Sequence, residues 1–114
     1  MEFKELEEKV LEWADSHELL YEKNADKQFL KFIEEIFEFK TEMDLKEIRW
    51  DTGYNFSDVI EPMKLEMGDI FVTLIILCKQ LEIEPMECLE LAHKKIKYRH
   101  GKTIDGTFVK EEDL

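Results

Sequence analysis

The run from Leu65 to Leu81, LEMGDIFVTLIILCKQL, decides how the chain is to be folded. Wound as a helix, it sets Leu65, Met67, Ile70, Phe71, Val72, Leu74, Ile75, Ile76, Leu77, Cys78 and Leu81 almost completely around the axis, and a helix apolar all round is a buried one. Into this surface Glu66, Asp69, Thr73 and Gln80 cut a single strip about 60° wide, which places two carboxylates one turn apart in a narrow slot. A buried carboxylate without a partner is costly or takes up a proton, so the strip calls for a positive neighbour. A lysine or a metal ion would serve.

Working outward, the same helix is expected over about 57–82, with Pro62 tolerated only near its first turn. Upstream, Phe3, Leu6, Val10, Trp13, His17 and Leu20 recur at steps of three and four and predict a first helix over about 3–20. EKNADK breaks it. A second helix is predicted over about 25–46, and WDTGYNFSD, Trp50 to Asp58, reads as a loop packed by its own rings. Downstream, Glu84 and Pro85 suit the entry to a fourth helix over about 85–99. In the tail, 100–114, Asp105-Gly106 between KTI and TFV has the spacing of a type I′ hairpin. The expectation is a single all-α domain over 1–114, a four-helix bundle with a short C-terminal tail or hairpin.

The bulk properties agree with a helical globular protein: 44% of residues are hydrophobic and 39% charged, with only four Gly and two Pro. So short a chain has little core of its own, and self-association is expected. The formal charge of −12 argues against polymeric nucleic acid as a partner. Charge from the second residue onward and the shortness of Ile70–Cys78 argue against a signal peptide and a membrane span, so a cytoplasmic protein is expected. Cys78 and Cys88 lack zinc or disulfide spacing and read as small hydrophobes. Glu90-x-x-His93 is half of a di-iron motif with no second half.

The stretch FIEEIFEFK, Phe32 to Lys40, carries the other acidic group. Glu34, Glu35, Glu38 and Glu42 fall on one side of the second helix, which taken alone is an ordinary solvated face. If that edge packs beside Glu66 and Asp69, four or five carboxylates meet. Their repulsion forces some to protonate unless a divalent cation holds them, and all-oxygen ligation suits Mg²⁺ or Mn²⁺, which often complete their shells with substrate phosphates.

EEIFE followed after 27 residues by EMGD resembles the E-E-x-x-E … E-x-x-D signature of the MazG-type all-α nucleoside triphosphate pyrophosphohydrolases, a superfamily that also includes dimeric dUTPases and dCTPases. The likeness extends over about residues 10–100 and includes HKKIKYR, where such proteins tend to carry N-x-K-x-x-x-R. It implies that Glu35, Glu38, Glu66 and Asp69 ligate Mg²⁺ or Mn²⁺, with Glu34 a further ligand or the base for the attacking water. Lys95 and Arg99 match the phosphate-binding pair. Being four apart, they would share one helix face as an anion clamp. His93 stands where the family favours asparagine. The resemblance further implies hydrolysis of a nucleoside triphosphate to monophosphate and pyrophosphate by a homodimer or homotetramer.

Gln28 and Lys31 lie on the same edge of the second helix and can point toward phosphates, although Lys31 can equally pair with Glu35. Trp13, His17, Trp50, Tyr54 and Phe56 can cap a nucleobase or simply fill core, with Trp50 the leading candidate. The competing reading is a non-catalytic helical homo-oligomer, either a binding scaffold or a nucleotide-sensing relative.

Overall fold

The computed structural model describes residues 1–114. It is mostly helical, with four helices and a small two-stranded sheet. These fall into two compact units, Met1–Ile83 and Glu84–Leu114.

In the first unit α1 spans Phe3–Ser16, α2 Ala25–Asp51 and α3 Phe56–Gln80, with a turn of 3-10 helix at Glu22–Asn24 leading into α2. Gln28, early in α2, donates to the carbonyl of Thr73 late in α3 at 3.3 Å, whereas Glu35 and Glu38 reach Glu66 earlier in α3. The two long helices therefore run antiparallel. α1 lies along α3 in the parallel sense: Leu6, Val10 and Trp13 share a cleft with Asp69 and Val72, and Gln80 donates to the carbonyl of Leu19 at 2.6 Å. The sealed apolar core is small, consisting of Ala14, Val59, Ile75 and Ile76.

Three helix ends share one device. After α1, α2 and α3 the chain turns back through paired bonds: Leu19 N–H to Ala14 and Glu18 N–H to Asp15; Tyr54 N–H to Arg49 and Gly53 N–H to Trp50; Ile83 N–H to Cys78 and Glu82 N–H to Lys79. This is the Schellman arrangement, and it needs a left-handed residue just past the helix. Gly53 supplies it after α2 at φ 87°, but Glu18 and Glu82 supply it after the others at φ 57° and 58°.

These ends explain where the boundaries differ from expectation. α1 closes at Ser16 rather than 20, because the chain reverses at Glu18. α2 continues five residues past 46, to Asp51. Arg49 reaches back to Glu42 and the Thr52 hydroxyl bonds the Ile48 carbonyl at 2.9 Å, so Trp50 sits in the last helical turn, not in a loop. α3 begins at Phe56, with the Asn55 side chain accepting from the Asp58 N–H at 2.9 Å. Pro62 therefore lies inside the helix, where it leaves the Asp58 carbonyl without its usual N–H.

The expectation that α3 is buried on every side is not met: Leu65 is 71% and Phe71 50% exposed. Only Val59, Thr73, Ile75, Ile76 and Gln80 are sealed. The apolar content is there, but α1 and α2 together cover only part of the circumference.

The second unit holds α4, Pro85–Ile96, and the hairpin β1, Gly101–Ile104, with β2, Thr107–Lys110. Glu84 caps α4 by accepting from the N–H groups of Met86 and Glu87, with Pro85 at the first helical position. β1 and β2 pair antiparallel with Ile104 opposite Thr107. Asp105 and Gly106 both have positive φ, 50° and 78°, as a type I′ turn requires. Gly101 faces the Val109 carbonyl, and a Cβ there would stand 2.6 Å from the Phe108 ring. α4 thus stops at Ile96, since the chain must leave the helix to enter this close pairing.

Candidate metal centre

Three of the carboxylates singled out in the sequence converge. One ligand oxygen from each of Glu35 and Glu38 on α2 and Glu66 on α3 lies within 4.8 Å of the other two. The antiparallel pairing of α2 and α3 makes this possible: residues three apart on α2 project on one edge, and that edge packs against the α3 strip.

The three differ in environment. Glu35 is 6% exposed, Glu66 half-buried and Glu38 exposed. Lys31 approaches Glu35 Oε1 at 3.2 Å and Glu34 at 3.6 Å. It holds its proton above the ordinary lysine range, chiefly because it bonds Glu35, with Glu34 and Glu38 adding to the field. The other oxygens at the centre have no such support. Glu35 Oε2 and Glu66 Oε2 are buried and meet no hydrogen-bond donor.

Glu38 shows the consequence. Its carboxyl is pushed above the usual carboxylate range, first by the hydrogen bond it donates to Glu35 when protonated, then by the charges of Glu35, by burial, and by Glu66 and Glu34. When Glu38 is ionised, neither it nor Glu35 can donate. Either a proton on Glu38 or a cation relieves the group, and a wholly carboxylate donor set suits a hard divalent ion such as Mg²⁺ or Mn²⁺.

The remaining candidate residues are placed as follows. Glu34 is exposed beside Lys31. Asp69 lies outside the three-carboxylate group; it is exposed and lines a cleft of about 390 Å³ between α1 and α3, with Leu6, Lys9, Val10, Trp13 and Val72. Gln28 is committed to the Thr73 carbonyl, so its amide ties α2 to α3. Trp50 packs its ring on Phe56, centroids 6.3 Å apart, and Trp13 on His17 at 4.8 Å. In the second unit His93 and Lys95 are exposed on α4. Arg99 falls beyond the end of α4, so the two cations do not share the helix face expected from their spacing. Cys88 is exposed and Cys78 half-buried, neither being a sealed core position.

One buried acid escaped the sequence reading. Glu7 is 3% exposed; Lys4 meets its Oε1 at 3.0 Å, while its Oε2 is buried without a donor. The periodic stripe on α1 drew attention to Leu6 and Trp13, which are half-exposed, whereas the sealed side chains are Glu7 and Ala14. Their seven-residue separation, with Val10 between, was the available signal.

No family model, curated protein or solved structure matches the chain. No helix is long and apolar enough to cross a membrane.

Proposed function

We propose that the protein is a Mg²⁺-dependent nucleoside triphosphate pyrophosphohydrolase, splitting a (d)NTP into (d)NMP and pyrophosphate, and that it serves nucleotide-pool house-cleaning in the cytoplasm as a homodimer or homotetramer. The observation that carries this reading is the convergence of Glu35, Glu38 and Glu66 with two buried, donorless oxygens among them. The resemblance of EEIFE and EMGD to the MazG-type signature gives the substrate class, and the exposed apolar side chains of α2 and α3, Leu30, Phe37, Leu65 and Phe71, favour self-association.

Glu35, Glu38 and Glu66 would hold the cation, with Asp69 one turn along α3 as a fourth ligand. A cation bound there supplies neutralising charge for phosphate oxygens and acidifies a water. Glu34, exposed on the same edge of α2 and 3.6 Å from Lys31, would take the proton of the attacking water. Water adds at the α-phosphorus, the anhydride bond to the β-phosphoryl oxygen breaks, and pyrophosphate leaves. Lys31 is the proposed phosphate contact in the first unit, with Gln28 and Trp50 further candidates for the substrate; Lys95, Arg99 and His93, on the second unit, are the phosphate and sugar candidates that the resemblance gives.

The test is release of pyrophosphate from a panel of canonical and modified triphosphates. Mg²⁺-dependent release that Glu66→Gln and Glu35→Gln abolish, with the metal-free fold retained, is the expected result. No release from any triphosphate, or full activity in Glu66→Gln, would overturn the assignment. Lys31 favours a second reading, because it already pairs with Glu34 and Glu35: a non-catalytic helical homo-oligomer that binds a partner or senses nucleotide. In that case Mg²⁺ leaves the melting temperature where it is.

A further inference from the structure

The unexplained group in the first unit is Glu7. An unanswered buried acceptor is among the costlier defects a fold can hold. Lys4 answers Oε1, and no donor meets Oε2. Four buried side-chain oxygens in the protein lack a donor; one is the Gln80 amide oxygen, and the other three belong to Glu7, Glu35 and Glu66. Two of those three are in the carboxylate group between α2 and α3.

The register of α1 on α3 places the third at the same level. Leu6 and Val10 flank Glu7 in sequence, and both line the cleft that Asp69 lines from α3. Asp69 is three residues, one helical turn, beyond Glu66. Glu7 is the one buried acid of α1, and the residues on either side of it meet α3 one turn beyond Glu66. Three buried carboxylate oxygens without donors share one remedy: a cation with its coordinated waters, whose hydrogens are donors.

We propose that Glu7 is a positioning residue of the cation site formed by Glu35, Glu38 and Glu66, its Oε2 accepting a hydrogen bond from a metal-bound water, so that the site is closed from the α1 side. This rests on the metal reading above and adds a residue from a helix which the acidic motifs do not include. It also gives α1 a functional reason to hold an acid where a leucine would pack better.

The test is Mn²⁺ affinity, measured by calorimetry or by the loss of the free-ion paramagnetic signal, together with metal-free melting. Glu7→Gln is expected to weaken Mn²⁺ binding by about tenfold or more, the usual loss when a hydrogen-bonding partner of a metal's ligand shell is removed. Glu8→Gln, which removes an equal charge from an exposed position on α1, is expected to leave affinity within about twofold. Glu7→Leu guards against a folding artefact: it should melt at or above the wild-type temperature without metal and still lose Mn²⁺ affinity. Unchanged affinity in both Glu7 variants, or an equal loss in Glu8→Gln, overturns the role of Glu7 while the cluster stands. A wild-type protein that binds no Mn²⁺ overturns both.

Discussion

α3 seals Val59, Thr73, Ile75, Ile76 and Gln80, whereas α4 seals nothing, although Met86, Leu89 and Ile96 give it an apolar stripe of its own. The difference lies in what is packed alongside. α3 has α2 on one side and α1 on another, close enough to shut two polar side chains in with the aliphatic ones. Apolar content gives a helix a reason to be buried; a partner surface does the burying. The same difference separates the two charged groups. Glu35 is buried between α2 and α3 and raises the proton affinity of its exposed neighbour Glu38, while Lys95 is exposed and Arg99 half-buried.

The sharpest test of this contrast is truncation in each unit. Ile76→Ala removes a sealed side chain from α3 and should lower stability by about 3 kcal/mol, within the usual range for a core isoleucine. Leu91→Ala, at a position 60% exposed on α4, should cost less than about 0.5 kcal/mol. Chemical denaturation of both variants at several protein concentrations reads the result. A large, concentration-dependent loss at Leu91 would break the comparison, for it would mean that α4 is covered by another copy in solution.

The basic residues come next. If Arg99 contacts the triphosphate, Arg99→Ala should lower kcat/KM roughly a hundredfold with no change in melting temperature, and Lys95→Ala should behave similarly. Activity preserved in both would leave the second unit without a part in the chemistry. Activity and stability lost together would make these residues structural.

Proton linkage at Glu38 gives a smaller effect of definite sign. Its folded-state affinity for a proton is raised above the ordinary value of 4.5, so its contribution to stability is complete below that pH and is lost as pH climbs through the raised value. Metal-free protein should therefore melt at progressively lower temperature as pH rises from about 4.5 toward neutrality, and Glu38→Gln should flatten that slope. Mg²⁺ needs the carboxylates ionised, so its stabilising effect should grow over the same window. Melting curves with and without Mg²⁺ across this range test both statements, and a Mg²⁺ effect that shrank with rising pH would contradict them.

The smallest expected effect concerns the two strained helix ends. Glu82→Gly places the residue that favours positive φ at the Schellman position after α3, and should raise stability by a few tenths to about 1 kcal/mol, less the entropy glycine adds to the unfolded chain. A loss of stability would show that the Glu82 side chain contributes something its backbone conformation conceals.

Much of the candidate site was legible in the sequence because its signals are local. Glu35 and Glu38 are three apart on one helix edge, and Glu66 opens a strip of polar residues in an apolar run; each fact depends only on helical periodicity. Whether those edges meet does not. Glu7 was missed for a related reason: α1 and its cap carry glutamates at 2, 5, 7, 8 and 12, and the heptad spacing from Glu7 through Val10 to Ala14 is a faint mark of the one that turns inward. That choice belongs to α3, the helix on which α1 lies.

The four helices, the cap at Glu84-Pro85 and the Asp105-Gly106 hairpin follow from local sequence, because helical periodicity, capping, proline geometry and the type I′ turn are properties of neighbouring residues. Packing between helices sets the rest: that α1 and α3 end at left-handed glutamates, that α2 carries Trp50 in its last turn, that part of α3 stays uncovered, and which carboxylates lose their water. A glutamate at positive φ is disfavoured locally and is held there by the Gln80–Leu19 tie and the packing around it. Likewise, the burial of a charge is set by neighbours distant in sequence, and no window of residues along the chain contains them.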